Sequence, residues 1–319
     1  MRRVVVLGYD GAELLDIACV TDSFDMATRL GADPGYAVEF VTMGGKPVRC
    51  CSGLVLAAHG ALERVRGPLD TLVIAGGSGH DAAAANPRLL AHVRRLAKES
   101  RRVASVCSGA TVLAAAGLLD GRRATTHWIY AELFAQRYPA VEVDPKPLYV
   151  RDGEVYTAAG VTSALDLTLA LVEADHGAEL ARRVARMLVT YLQRPGNQAQ
   201  VSMFVSAPPR EDGLVRNLVG HIGQHLDADL GTAALAERAG VSERHLTRLF
   251  LEQVGMPPAK YVRATRTEAA AQLLVSTTLP LAAVARRCGF RSTETLRQAF
   301  VGSYGISPSQ YRNLTGSVR

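Results

Sequence analysis

The stretch Ser105–Gly121, SVCSGATVLAAAGLLDG, decides the fold of the first half of the chain. A valine-rich run ends at Cys107, and a helical pattern of small residues begins directly after it. A turn this sharp needs small neighbours, which Gly109 and Ala110 supply, and it resembles the strand-to-helix turn of a nucleophile elbow. The Cys107 thiol is therefore predicted to act as a nucleophile or to line a binding pocket. The alternative is an inert, buried cysteine.

Strands and helices alternate on both sides of this corner. Apolar, β-branched runs such as VVVLGY, VEFVTM, LDTLVIAGG, RVASVC, RATTHW and EVYTAAG predict strands, and the amphipathic stretches between them predict helices. This order predicts an α/β fold, with a parallel sheet that helices cover on both faces. Ligands of such folds bind at the carboxyl ends of the strands.

Four further residues lie at predicted strand ends or helix starts. Gly76 and Gly77 follow a buried strand, where backbone amides can approach a ligand. His127 follows the strand after the Cys107 helix, and it lies beside Cys107 if those two strands are neighbours. Asp16 begins a helical pattern after the first strand, and its alternative role is that of a helix-start carboxylate.

The helix that begins after Cys107 predicts the electrostatics of the corner. The positive end of a helix dipole favours a thiolate, so the pKa of Cys107 is expected to be lowered. The backbone N–H of Ser108 is expected to be free to face an anionic group of a ligand.

Residues 1 to about 190 resemble the PfpI-like branch of the class I glutamine-amidotransferase-like superfamily, through the motifs VIAGGSG, VCSGATVLAAAGLLDGRRATTHW and GAELLD. The resemblance implies a flavodoxin-like sandwich, with an elbow cysteine at Cys107 and a histidine partner at His127. It also implies an oxyanion-type pocket formed by the amides of Gly77 and Ser108. Many relatives carry Glu near the position of Asp16, hydrogen-bonded to the thiol, and Asp is one methylene shorter.

The positive charge of the chain is concentrated in one region. The chain has 319 residues, which predicts two domains, and its formal net charge is +6. Between Gly231 and Arg312, 11 Lys and Arg stand against 5 Asp and Glu, so this region accounts for the whole excess. The asymmetry predicts a nucleic-acid partner for the second domain and a neutral task for the first.

Composition also predicts several absences. No apolar run reaches the roughly 18 residues that a membrane span requires, and the N-terminus is a poor signal peptide. The five cysteines include no Cys-x-x-Cys pair, so neither a disulfide framework nor a zinc site is predicted. We expect no cofactor, no metal, no membrane partner and a cytoplasmic location.

A polar, proline-containing stretch at 193–213 is predicted to link a first domain at 1–192 to a second domain at 214–319. The second domain contains an internal repeat, LAERAGVSERHLTRLFLEQVGMPPAKY and VARRCGFRSTETLRQAFVGSYGISPSQY. Each copy predicts a helix, a turn and a second helix. In the first copy Gly240 is predicted to turn the chain and Ser242 to cap the second helix.

The outward side chains of the two second helices suit DNA recognition, because Arg and Gln reach base edges when such a helix lies in the major groove. The candidate DNA-binding residues are Arg244, His245, Arg248, Arg291, Thr293, Glu294, Arg297 and Gln298. The alternative, an ordinary solvated helix face, is disfavoured by the duplicated motif and the charge surplus. Between the two copies, Pro258–Thr277 predicts a helix of roughly 30 Å, close to the ~34 Å of one turn of DNA.

Residues 214–312 resemble the AraC/XylS DNA-binding domain, most closely in GFRSTETLRQAFVGSYGISPSQYR. The two domains together resemble the GlxA-type transcriptional regulators. The resemblance implies a sequence-specific regulator that binds double-stranded DNA, with RNA polymerase as a further partner. The apolar helix SALDLTLALV and the resemblance both favour a homodimer through the first domain.

The leading hypothesis is a regulator that an unknown small-molecule effector modulates. The predicted ligand-binding residues are Gly76, Gly77, Cys107, Ser108, His127 and Asp16. One alternative is a thiol-dependent hydrolase or hydratase whose candidate catalytic residues are Cys107, His127 and Asp16. The other is a redox sensor that acts through oxidation of Cys107.

Overall fold

The structure is a computed structural model, and it describes residues 1–190, 196, 200 and 213–315. The chain divides into two compact units, Met1–Gln200 and Val201–Arg319. Most of the predicted linker at 193–213 lies outside the described residues, so the domain boundaries at 192 and 214 remain a prediction.

A seven-stranded sheet forms the middle of the first unit. The strands of this unit are β1 (Arg2–Leu7), β2 (Tyr36–Thr42), β3 (Val48–Arg49), β4 (Val55–Leu56), β5 (Gly60–Ala61), β6 (Leu69–Ile74), β7 (Ser100–Val106), β8 (Arg123–Ala124), β9 (Glu142–Val143), β10 (Tyr149–Asp152) and β11 (Val155–Ala158). The order in the sheet is β10–β11–β7–β6–β1–β2–β5. Only the β10–β11 pairing of this sheet is antiparallel, so the expected α/β class is confirmed.

Helices cover both faces of this sheet, as predicted. They are α1 (Leu14–Arg29), α2 (His80–Ala84), α3 (Pro87–Lys98), α4 (Gly109–Ala115), α5 (Ala131–Arg137), α6 (Thr162–His176) and α7 (Ala178–Met187). Successive side chains of a strand point to opposite faces. Val4 of β1 therefore packs in one core with Phe24 of α1, and Val5 packs in the other with Leu89 of α3.

The strand predicted at RATTHW is much shorter than expected. Arg123–Ala124 pair with β9, outside the central sheet, and the sheet neighbours of β7 are β6 and β11. The two following threonines are buried, and hydrogen bonds that involve a side chain take the place of strand pairing. The amide of Thr125 donates to Thr157 Oγ1, and Thr126 Oγ1 donates to the carbonyl of Cys107. The two strands are therefore not neighbours, and a loop carries His127.

The described part of the second unit is helical. Its helices are α8 (Leu214–Gln224), α9 (Thr232–Arg238), α10 (Glu243–Val254), α11 (Pro258–Ser276), α12 (Leu281–Arg287), α13 (Thr293–Tyr304) and α14 (Pro308–Thr315). The pairs α9–α10 and α12–α13 form the two predicted helix-turn-helix copies, with left-handed Gly240 and Gly289 at the turns. Helix α11 joins the copies over nearly the length that the sequence predicts.

Each copy has its own hydrophobic core. Phe250 is fully buried in the first core and Phe300 in the second. Helix α11 contributes side chains to both cores, because Tyr261 in its first turn packs in the first core and Leu274 near its end packs in the second.

Candidate functional site

Cys107 lies in the tight turn between the end of β7 and the start of α4, with a φ of 54°. Few residues other than glycine adopt this left-handed conformation, so the turn is strained. Two glycines make room for it. A Cβ at Gly76 would collide with the Cβ of Cys107, and a Cβ at Gly109 would collide with the carbonyl of Ile74. The thiol is thus held at the predicted strand-to-helix corner.

His127 and Cys107 meet over Gly160. A Cβ on Gly160 would lie 3.0 Å from Cys107 Sγ and 3.1 Å from His127 Cδ2. Gly160 has a φ of 140°, and Val161 beside it has a φ of 44°, which is rare for a β-branched residue. The predicted proximity of His127 and Cys107 is present. It arises at the turn after β11 and not from two neighbouring strands.

Asp16 ties two of these turns together. Its Oδ2 accepts a hydrogen bond from the amide of Gly76 at 2.9 Å, and its Oδ1 accepts one from the amide of Val161 at 2.9 Å. Among the described contacts, neither oxygen accepts a hydrogen bond from Cys107. Burial raises the pKa of Asp16 to about 7 although both amide bonds favour the charged form.

The expected thiolate is not supported by the surroundings of Cys107. Burial, followed by the nearby carboxyl of Asp16, raises the pKa of Cys107 to about 12, and a hydrogen bond from the backbone of Ser108 offsets only part of this. The residue is 6 % exposed, so burial disfavours the charged thiolate, and helix α4, whose dipole was expected to favour it, has only seven residues. The sequence prediction of a lowered pKa is therefore wrong, and the thiol is protonated at neutral pH.

The predicted oxyanion pair is also altered. The amide of Gly77 donates to Ser108 Oγ at 2.9 Å, and Ser108 Oγ donates to the carbonyl of Gly77 at 2.9 Å. Ser108 is fully buried. The side chain of Ser108 thus occupies the Gly77 amide that was expected to face a ligand, a contact that the motif VIAGGSG does not reveal.

His127 is held as a neutral ring. Its Nδ1 accepts a hydrogen bond from the amide of Ile129 at 3.3 Å, which assigns the ring proton to Nε2. Burial lowers the pKa of His127. The ring can therefore offer an Nε2–H donor to a ligand. Beside it, Trp128 and Ile129 are exposed.

Gln200 also contacts the His127 loop, and sequence reasoning missed it. Its side-chain amide donates to the carbonyl of Thr126 at 2.9 Å, and its Oε1 accepts from the amide of Trp128 at 2.9 Å. Gln200 lies in the polar stretch that was interpreted as linker, where no strand or helix pattern marks a contact residue.

The second helix of the first helix-turn-helix copy, α10, carries three of the predicted DNA-binding residues on its surface. Ser242 caps it by accepting a hydrogen bond from the amide of His245. Arg244 and Arg248 are exposed and His245 is half-buried. Arg248 Nη2 lies 3.1 Å from His245 Nδ1, so these two side chains contact each other on the helix surface.

The second helix of the second copy, α13, carries an ion pair between two of its own exposed side chains. The predicted residues on this helix, Thr293, Glu294, Arg297 and Gln298, are exposed, and so is Arg291, which lies before the helix begins. Glu294 accepts two hydrogen bonds from Arg297, at 2.7 and 2.8 Å, and one from Gln298 at 3.1 Å. The two side chains best suited to base edges are therefore both held by one carboxylate.

No helix in residues 1–190 or 213–315 is long and apolar enough to cross a membrane. Over the same part of the chain, no group of three or more His, Cys, Asp or Glu side chains is placed to hold a metal ion.

Residues 2–174 match the DJ-1/PfpI family, and residues 235–314 match a helix-turn-helix domain. The chain belongs to the DJ-1/PfpI family, in a form that carries a C-terminal helix-turn-helix domain. It is similar to the HTH-type transcriptional regulator CdhR of Pseudomonas aeruginosa, with 31 % identity over 95 % of this chain and 89 % of the relative. It is also similar to the HTH-type transcriptional regulator GlxA of Rhizobium meliloti, with 30 % identity over 99 % of this chain and 97 % of the relative.

Two further relatives cover a smaller part of the chain. The isonitrile hydratase of Pseudomonas putida is 35 % identical over 53 % of this chain and 71 % of its own length. A THiJ/PfpI family protein from Pseudomonas syringae, known as a crystal structure, is 27 % identical with a TM-score of 0.56, and covers 70 % of this chain and 86 % of its own. These findings confirm the predicted pair of domains and the prediction of a DNA-binding transcriptional regulator.

Proposed function

We propose that the chain regulates transcription as a homodimer whose DNA affinity responds to a small molecule bound beside Cys107. DNA binding is supported by the two helix-turn-helix copies and by regulators that share nearly the whole chain. The homodimer rests on the family resemblance, because α6, which contains the stretch SALDLTLALV, buries most of its apolar side chains within the first unit and offers them to no second copy. A regulator of this class would also meet RNA polymerase on the promoter.

The observation that carries the ligand site is an elbow thiol beside Asp16 and His127, two side chains whose described hydrogen bonds go to the backbone. Both oxygens of Asp16 accept from backbone amides, and so does Nδ1 of His127. Nucleophilic catalysis needs a base within reach of the thiol and a third group that orients the base. The arrangement therefore favours binding over rapid turnover.

The charges around Cys107 favour an uncharged polar ligand. The thiol is protonated, and the ring of His127 is neutral with a donor at Nε2. The amide of Gly77 is occupied by Ser108, so the site lacks the pair of free amides that would attract an anion. We expect a small amide or carbonyl compound whose oxygen accepts from His127.

A thermal-shift screen of small amides and carbonyl compounds tests this site. A compound at 100 times its Kd should stabilise the chain by about 2.7 kcal/mol, and it should change the affinity for DNA. The Cys107→Ala variant should keep its DNA binding and lose the response. Compounds that stabilise the wild-type chain and this variant equally would place the effector elsewhere.

A thiol-dependent hydratase or hydrolase is the second candidate function. It is favoured by the pKa of Asp16, about 7, which lets this carboxyl exchange a proton near Cys107 at neutral pH. Efficient turnover of isonitriles, amides or esters that is lost in Cys107→Ala would establish it. A redox sensor predicts a different result, namely that peroxide changes the DNA affinity of the wild-type chain and not that of Cys107→Ala.

A further inference from the structure

The side-chain amide of Gln200 is bonded on both sides, with three acceptors around its two N–H donors and one donor to its oxygen. Nε2 donates to the carbonyl of Thr126 at 2.9 Å, to Thr125 Oγ1 at 3.1 Å and to the carbonyl of Pro147 at 3.3 Å. Oε1 accepts from the amide of Trp128 at 2.9 Å. The contact is therefore specific for a group that donates on one side and accepts on the other.

These partners bracket His127 in the sequence. Thr126 precedes it and Trp128 follows it, and Gln200 bonds to the backbone of both. Thr126 is fully buried, and its hydroxyl donates to the carbonyl of Cys107 at 2.9 Å. One side chain thus holds the segment that places His127 beside the thiol.

The backbone near Gln200 is fastened to the same unit. The backbone N–H of Gln200 donates to the carbonyl of Lys146 at 2.9 Å. The carbonyl of Gly196 accepts from the amide of Tyr149 in β10 at 3.2 Å. The next described residue along the chain is Gly213, directly before helix α8 of the DNA-binding unit. Gln200 is therefore the last described contact of the first unit before the chain passes to the second.

We propose that Gln200 is a positioning residue that couples the His127 loop to the start of the chain segment leading to the DNA-binding unit. This proposal rests on the proposed function, because it explains how a ligand at Cys107 acts on DNA binding. A shift of His127 moves the backbone of Thr126 and Trp128 together, and Gln200 must follow or leave buried acceptors unpaired. Coupling between two sites is reciprocal, so DNA binding must also act on the loop.

The single tryptophan of the chain reports on this contact, since Trp128 bonds directly to Gln200. The experiment titrates the full chain with a fluorescently labelled mixed-sequence duplex at low salt. DNA binding is followed by anisotropy, and the loop is followed by Trp128 emission in a parallel titration with unlabelled duplex. The variants are Gln200→Ala and Gln200→Glu, which keeps the size of the side chain but removes both N–H donors. Gln136→Ala, at an exposed glutamine of α5, is the matched control.

We expect DNA to shift the Trp128 emission in the wild-type chain and in Gln136→Ala, and we expect both Gln200 variants to lose that shift. The DNA affinity of both Gln200 variants should change by at least about fivefold. A shift of wild-type size in folded Gln200→Ala or Gln200→Glu would overturn the coupling and leave the proposed function standing. A wild-type chain that does not bind the duplex would overturn both.

Discussion

At the scale of single residues, the site around Cys107 is organised by buried groups that bond to the backbone. Asp16 joins the turns after β6 and β11, and Ser108 occupies the amide of Gly77. Each contact removes a group that could have acted on a substrate. The same buried contacts thus hold the turns around Cys107 in place and occupy groups that could otherwise bond to a ligand.

The raised pKa of Asp16 predicts how its contribution to stability depends on pH. Its folded pKa is about 7 against an ordinary 3.8, so the folded chain holds a proton between about pH 4 and pH 7 that the unfolded chain has lost. The stability that Asp16 contributes is therefore full below about pH 4 and falls by up to roughly 1.4 kcal/mol per pH unit up to about pH 7.

Guanidinium unfolding of the wild-type chain and of Asp16→Asn at several pH values tests this prediction. The free energy of unfolding of the wild-type chain should fall relative to that of Asp16→Asn as the pH rises through this window. A difference that stays constant with pH, or a carboxyl NMR titration of Asp16 with a midpoint near 4, would contradict it.

The ion pair between Glu294 and Arg297 leads to a prediction about the salt dependence of DNA binding. Replacing Glu294 with Gln removes the carboxylate that accepts two hydrogen bonds from Arg297, so one more positive charge can meet the phosphates. We expect Glu294→Gln to bind unrelated duplexes more tightly, and the plot of log affinity against log salt to steepen by about 0.9. Glu237→Gln, at an exposed position of α9, is the control. An unchanged slope would show that Arg297 already leaves Glu294 when DNA binds.

At the scale of elements, the two helix-turn-helix copies share one pattern but differ at their turns. Gly240 and Gly289 have φ values of 66° and 71°. A Cβ at Gly240 would meet nothing within 4 Å, whereas a Cβ at Gly289 would collide with the carbonyl of Leu226 and the guanidinium of Arg266. The second turn is packed against the rest of the unit, and the first turn faces open space.

This difference predicts unequal costs for the same substitution. Gly240→Ala should cost only the left-handed strain of about 1–2 kcal/mol. Gly289→Ala should cost about 1–3 kcal/mol more, because the methyl group has no room. Urea unfolding followed by helical circular dichroism measures both. Equal losses in the two variants would mean that Leu226 and Arg266 move aside without cost.

At the scale of the whole molecule, the proposed dimer predicts a large loss of affinity when the first unit is removed. The fragment 214–319 holds both helix-turn-helix copies and should still bind duplex DNA in a salt-dependent way. Two linked copies bind with an effective concentration that a single copy lacks, so the full chain should bind a two-site duplex about 100-fold more tightly or better. Anisotropy titrations of both proteins, with sedimentation of the full chain, give the comparison. A monomeric full chain with the affinity of the fragment would contradict the dimer.

The sequence predicted the layers of the fold and the neighbourhood of Cys107 because both follow local patterns. Periodicity marks strands and helices, and parallel strands bring Gly76 and Cys107 to one edge of the sheet. The pKa of Cys107 and the bonds of Asp16 depend on groups far apart in the chain; Asp16 bonds to amides 60 and 145 positions away. Gln200 was missed for the same reason, since its partners lie 53 to 75 positions before it.

The separate cores of the two helix-turn-helix copies have an evolutionary consequence. Phe250 and Phe300 are buried among different neighbours, and only α11 contributes to both clusters. A substitution at Phe250 therefore removes no side-chain contact from the cluster around Phe300. If each copy contacts its own part of the DNA site, descendant genes can change the sequence that one copy recognises while the other copy still binds the original site, so that every intermediate protein keeps its target.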